Sequence, residues 1–84
     1  MNMCYITFRS VTLAQRGEAA LNREGIQCWL QRTPRWMEER GCGYCLRVRP
    51  QDVQAGVAAL RLNQAGFSKV YRMTGDGRGE EMKL

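Results

Sequence analysis

The sequence predicts an α+β fold: a ferredoxin-like βαββαβ sandwich with a four-stranded antiparallel sheet and two helices on one face. Three observations predict it. Stretches of period two and of period 3.6 alternate in the order β-α-β-β-α-β. A short motif recurs where each helix hands over to a strand. The chain has 84 residues, enough for one domain and too few for two.

Cys4 to Phe8 opens the pattern, with Cys4, Ile6 and Phe8 on one face and Tyr5 and Thr7 on the other. Ser10 is a good N-cap for a helix whose Leu13, Gly17, Ala20 and Leu21 fall at helical spacing. Gly25 suits a left-handed C-cap. Ile26 to Gln31 alternates again, placing Ile26, Cys28 and Leu30 opposite Gln27, Trp29 and Gln31. Pro34 breaks that strand, and Trp36 to Arg40 is short enough for one helical turn. Gly41-Cys42-Gly43 reads as a tight bend. Tyr44 to Arg49 is a third strand, with Tyr44, Leu46 and Val48 on one side and Cys45, Arg47 and Arg49 on the other. Pro50 starts a second helix with Val53, Gly56, Val57 and Leu60 as its inward stripe, and Gly66 caps it. Phe67 to Met73 is the last strand. From Thr74 on, glycines alternate with charges, so residues 1–73 are expected to be the domain and 74–84 a flexible tail.

The recurring motif is Leu21-Asn22-Arg23-Glu24-Gly25-Ile26 and Leu62-Asn63-Gln64-Ala65-Gly66-Phe67. Two βαβ halves with right-handed crossovers put both helices on one side of the sheet. Alternation then turns Cys4, Ile6, Phe8, Ile26, Cys28, Leu30, Leu46 and Val48 towards the helices. Tyr5, Trp29, Cys45, Arg47, Arg49 and Tyr71 should line an open face. Several aromatic rings there would form an apolar patch, which points to a binding face and to a homodimer through it.

Composition narrows the function. With 44% hydrophobic and 25% charged residues the chain is not disordered throughout. No apolar run approaches the roughly 20 residues that cross a bilayer, and the N-terminus lacks the basic start and apolar stretch of a signal peptide. A cytoplasmic location is the expectation. The net charge of +5 rests on eleven arginines against two lysines. Arg32, Arg35, Arg40, Arg47 and Arg49 crowd one stretch whose only acids are Glu38 and Glu39. That is either a solvated basic face or an anion site.

Cys42-Gly43-Tyr44-Cys45 is the one constellation with evident chemistry. The thiolate is the reactive form, and neighbouring arginines favour it. Arg40 and Arg47 are close in sequence, and the loop is expected to bring Arg35 near as well. These three are the candidate anion-stabilising residues. Cys42 is the candidate nucleophile. Cys45 is either a half-exposed strand residue or a thiol that resolves a mixed disulfide or persulfide. The pair leads into a strand and not a helix, which disfavours a thioredoxin-type oxidoreductase. It is also half of a four-cysteine zinc site, but Cys4 and Cys28 alternate onto the buried face and there is no histidine. Zinc through Cys42 and Cys45 within one chain is disfavoured, a dimer sharing two pairs fits better, and no cofactor is expected.

The succession Cys4-Tyr5-Ile6-Thr7-Phe8-Arg9-Ser10, Arg32-Thr33-Pro34-Arg35, Cys42-Gly43, Leu46-Arg47-Val48, Pro50-Gln51-Asp52 and Val70-Tyr71-Arg72 resembles small bacterial domains described as selenium/sulfur carrier protein-like. The likeness covers residues 3 to 73. It implies that Cys42 carries sulfur or selenium as a persulfide or perselenide, between donor and acceptor proteins. The chain departs from the family in Arg40-Gly41, where small hydroxyl residues are usual, and in Cys45, where a small residue is usual. The second cysteine brings redox switching into play.

Against this carrier reading stands a non-catalytic module that binds an anion, RNA or a small molecule on its open face. The Lys/Arg-Gly-Phe/Tyr-Gly-Phe signature is missing, so nucleic acid is disfavoured. Acidic residues are few and scattered, which argues against a conventional enzyme with paired carboxylates. Gly75-Asp76-Gly77-Arg78-Gly79 has no strand-to-helix setting and is no phosphate loop.

Overall fold

A computed structural model describes residues 3–34, 43–73 and 79–83. The elements are β1 (Cys4–Phe8), α1 (Val11–Arg23), β2 (Cys28–Arg32), β3 (Tyr44–Val48), a 3-10 turn (Pro50–Asp52) running into α2 (Val53–Leu62), β4 (Val70–Met73) and β5 (Gly79–Met82). The class is α+β, two helices against one antiparallel sheet. The sheet has five strands and not four, in the order β2-β3-β1-β4-β5. The fifth lies within the stretch that the sequence suggested was a mobile tail. Its partner explains it: β4 would otherwise be an edge, and Arg72 and Lys69 meet Glu80 and Glu81 of β5 at 2.6 and 3.9 Å. Met82, paired with Val70, reaches the core. Glu80 and Glu81, which looked like tail, are exposed on opposite faces of this edge strand.

Central β1 is buried at all five positions, with β3 on one side and β4 on the other. Its buried hydroxyl is satisfied. Thr7 Oγ1 donates to Lys69 O at 3.2 Å and accepts from Lys69 N–H at 3.0 Å, which stitches β1 to the approach of β4. Cys4, Ile6, Phe8, Leu46, Val48 and Val70 form one core with Ala14, Ala20 and Leu21 of α1 and Val53, Val57 and Leu60 of α2. Both helices therefore cover the same face. Ile26, Cys28 and Leu30 pack against this core, as alternation requires.

The helix ends follow one rule. Ser10 caps α1, its Oγ accepting from Leu13 N–H at 3.2 Å. At the other end Ile26 N–H donates to Leu21 O at 2.9 Å and Gly25 N–H to Asn22 O at 3.0 Å, with Gly25 at φ 75. α2 closes with the same pair of bonds, Ala65 to Leu60 at 2.9 Å and Gln64 to Arg61 at 3.1 Å. The left-handed residue there is Gln64, at φ 54, and not Gly66. The structural match of Leu21 is thus Leu60, two residues before the Leu62 that the sequence echo selects. Burial decides the register: Leu60 is fully buried, whereas Leu62 is 78% exposed. Gln64 accepts a backbone strain of about 1 kcal/mol so that Leu60 can stay in the core. Among the described residues no helix is long and apolar enough to cross a membrane.

Two buried glycines set how closely α1 and α2 approach their neighbours. A Cβ on Gly17 would stand 2.6 Å from the tip of the Phe8 ring and 3.2 Å from Leu60. A Cβ on Gly56 would meet Leu21 at 3.5 Å, an ordinary contact. Phe8 is 2% exposed, so its ring has nowhere to retreat. Gly17→Ala should lower stability, because overpacking at about 1–3 kcal/mol outweighs about 1 kcal/mol gained in helix propensity. Gly56→Ala should leave stability unchanged or raise it by up to about 1 kcal/mol. Urea unfolding of the two variants checks the contrast.

Candidate functional site

The face of the sheet away from the helices carries the residues that the sequence singled out. Register places Trp29, Arg47, Tyr5 and Tyr71 in one row across β2, β3, β1 and β4. Gln31, Cys45 and Thr7 form the next row. Arg49, just beyond β3, donates to Gln27 Oε1. Of the arginine-rich stretch, Arg47 lies on this far face with its Cζ 5.2 Å from the centre of the Trp29 ring. Arg32 lies over Tyr44 at 5.8 Å. Arg35, Arg40 and Cys42 lie outside the described residues.

This face is not the open aromatic surface that alternation suggested. Tyr5 is 8% exposed and Cys45 is sealed, with Met3, Tyr71 and Met73 packed against them. Trp29 and Tyr71 are half-buried. A second, small apolar cluster thus occupies the middle of the face. Period two tells which side of a sheet a residue takes, but not whether a neighbouring side chain lies across it.

Cys45 is accordingly corrected from half-exposed to buried. Its Sγ lies 3.9 Å from Arg32 O as a weak donor. Burial pushes its pKa from 9.0 up to about 11, against the opposing pull of the Thr33 hydroxyl and Arg47. Cys28 is pushed to about 11 by burial, with Glu18 adding to the rise. Cys4 is raised by burial, with Arg72 opposing. All three are thiols at neutral pH. Among the described residues no three cysteine or carboxylate side chains converge as a metal-binding group.

The entry to β3 is built around Gly43. Thr33 N–H donates to Gly43 O at 3.2 Å, which extends the β2–β3 ladder past both strand ends. Gly43 sits at φ 149, and a Cβ there would lie 3.2 Å from Phe8 O and 3.3 Å from Thr33 Oγ1. Both the backbone angle and the space demand glycine, which gives the Cys-Gly dipeptide a physical reason. Sequence reading passed over Thr33, whose buried hydroxyl borders Gly43 and favours the charged form of Cys45. The signal was present: carrying the period of Trp29 and Gln31 two residues further puts Thr33 on the same face.

The family model described as "Putative Se/S carrier protein-like" matches residues 3–72. The chain belongs to this family. The match spans β1 through most of β4, so the Se/S carrier-like unit includes the whole β2–β3 ladder and the Gly43 entry, while β5 lies beyond it. No curated protein and no solved structure matches the chain.

Two tests follow from this geometry. Gly43→Ala should cost roughly 1–3 kcal/mol in urea unfolding, since it forces an L side chain into a left-handed conformation against backbone. The raised thiols give a pH dependence of definite sign. Their stabilising contribution is complete below 9.0 and is lost as pH rises through about 11, because the unfolded chain releases the protons first. The urea midpoint should fall across that window, and Cys28→Ala should flatten the fall. An equally steep fall in the variant would contradict the assignment.

Proposed function

We propose that this Se/S carrier-like protein carries sulfur or selenium on Cys42, taking it from a donor protein and passing it to an acceptor. The supporting observation is the state of the other thiols. Cys4 and Cys45 are fully buried, and Cys28 is half-buried with its pKa raised to about 11. A carrier needs a thiolate that a partner can reach, and three of the four cysteines are held protonated by packing. Cys42, in the residue before the tightly specified Gly43, is the one left for the task. Arg35 and Arg40 lie near Cys42 in the sequence and Arg47 follows on β3, which supports guanidinium stabilisation of the charged sulfur.

In transfer from a donor persulfide, the Cys42 thiolate attacks the outer sulfur. A new S–S bond forms at Cys42, the donor's S–S bond breaks, and the donor cysteine leaves as a thiolate with the electron pair. Cys45 serves as packing in the resting fold. Resolution by Cys45 would require β3 to open. The β2-β3-β1-β4 portion is read as the ferredoxin-like unit, with β5 an addition at its edge. A homodimer through the far face would rest on Trp29 and Tyr71, the half-buried rings of that row.

Incubation with a cysteine desulfurase and cysteine, followed by intact-mass spectrometry, tests the carrier reading. The protein should gain the mass of sulfur, reversed by dithiothreitol. Cys42→Ser should gain none, and Cys45→Ala should still load. No gain in the unmodified chain, or equal gain in Cys42→Ser, rejects the proposal.

A further inference from the structure

β2 is an edge strand, and nothing among the described residues pairs with its outer side. Hydrogen bonds decide which of its residues aim that way. Thr33 N–H donates to Gly43 O, so Thr33 and, by alternation, Gln31 and Trp29 turn their backbone groups towards β3. β1 gives the same parity. Thr7 bonds towards β4, which leaves Tyr44, Leu46 and Val48 to bond with β1, and Cys45 and Arg47 to bond with β2. Cys28, Leu30 and Arg32 therefore point their N–H and C=O groups outward. Arg32 O keeps a lone pair beyond its weak contact with Cys45 Sγ. Sheet edges are commonly guarded by charge, proline or a bulge. β5, at the other end of the sheet, has Glu80 and Glu81 held by Arg72 and Lys69. β2 has no such guard before its last residue, and Cys28, Trp29 and Leu30 along it are only half-buried.

We propose that the outer edge of β2 is a dimer interface, on which β2 of a second copy of this chain pairs antiparallel about Leu30. Leu30 then faces Leu30, and Cys28 faces Arg32 of the second copy, each facing pair exchanging two backbone hydrogen bonds. Charge selects this register. Glu18 of α1 is close enough to Cys28 to disfavour charge on its sulfur, and neither Glu18 nor Arg32 has an ion-pair partner among the described residues. Pairing about Leu30 brings Arg32 of each copy to Cys28 of the other, and so to Glu18. Centring on Arg32 would set two arginines side by side, and centring on Cys28 would turn the two Glu18 carboxylates towards each other. On the far face Trp29 gains Gln31 of the second copy as its neighbour. The two sheets run on as one, closed by a twofold axis. Strand pairing distinguishes this dimer from one through the far face, and it does not depend on sulfur being carried at Cys42.

Size-exclusion chromatography with light scattering, run in dithiothreitol over a range of concentrations, should give a dimer. Glu18→Arg and Arg32→Glu each set like charges against one another and should each weaken the dimer about tenfold. An equimolar mixture of the two variants should recover it, because opposite charges then meet at both ends of the paired strands. Misfolding would not be reversed by mixing. In the unmodified chain the amide protons of Cys28, Leu30 and Arg32 should exchange more slowly as concentration rises through the dimer range. That measurement needs no variant and decides the matter should either one fold poorly. A dimer through the far face would leave these three amides open to water. A monomer at every concentration, growth beyond a dimer, a dimer without slowed exchange at these amides, or undiminished dimerisation in both variants overturns the proposal.

Discussion

Phe8 is the residue on which the rest of this structure depends. Its ring fills the space that Gly17 leaves in α1, and its carbonyl borders the space that Gly43 leaves at the entry to β3. One side of the residue therefore fixes how closely the first helix lies on the sheet. The other fixes how the chain comes out of the Cys42 segment and into a strand. Because Phe8 is paired with Tyr44 of β3 and almost fully buried, it cannot shift to accommodate either neighbour. Dense packing transmits this constraint from the helical core to the candidate site over the width of a single residue.

The sheet separates two kinds of environment. On the helix side a continuous apolar core absorbs Cys4 and packs against Cys28. On the far side a smaller cluster seals Cys45 between Tyr5 and the neighbouring strands. Burial removes water from these sulfurs and disfavours their charged forms, so the fold suppresses thiol chemistry at three places. The arginines are similarly divided: Arg32 and Arg47 lie over aromatic rings, and Arg72 pairs with Glu80.

Much of the fold was legible because strand faces obey a local rule. Alternation placed Ile6, Phe8, Leu46 and Val48 inward and put Tyr5, Trp29, Arg47 and Tyr71 on the opposite side, and the register agrees. Ser10 and Gly25 were readable for the same reason, since capping involves only near neighbours. The candidate site was less legible. Residue identity pointed to Cys45 as a possible participant, but its exposure depends on Met3, Tyr71 and Met73, which are distant in sequence or belong to another strand. Thr33 escaped notice because hydroxyls are common after strands, and only its position opposite Gly43 distinguishes it.

By itself the chain determined the succession of elements, the side each strand residue takes, and the concentration of cysteine and arginine in one stretch of sequence. Those properties follow from side-chain period, caps and composition, all of which act over a few residues. Tertiary structure alone decided that β5 closes onto β4, that α2 ends at Leu62 with Gln64 in the left-handed position, and that Cys45 is inaccessible. Each of these turns on which distant groups compete for the same space. Leu60 claimed the core ahead of Leu62, and an unpaired strand edge claimed Gly79–Met82. Such contests are settled by packing and pairing across the fold, and no local pattern records their outcome.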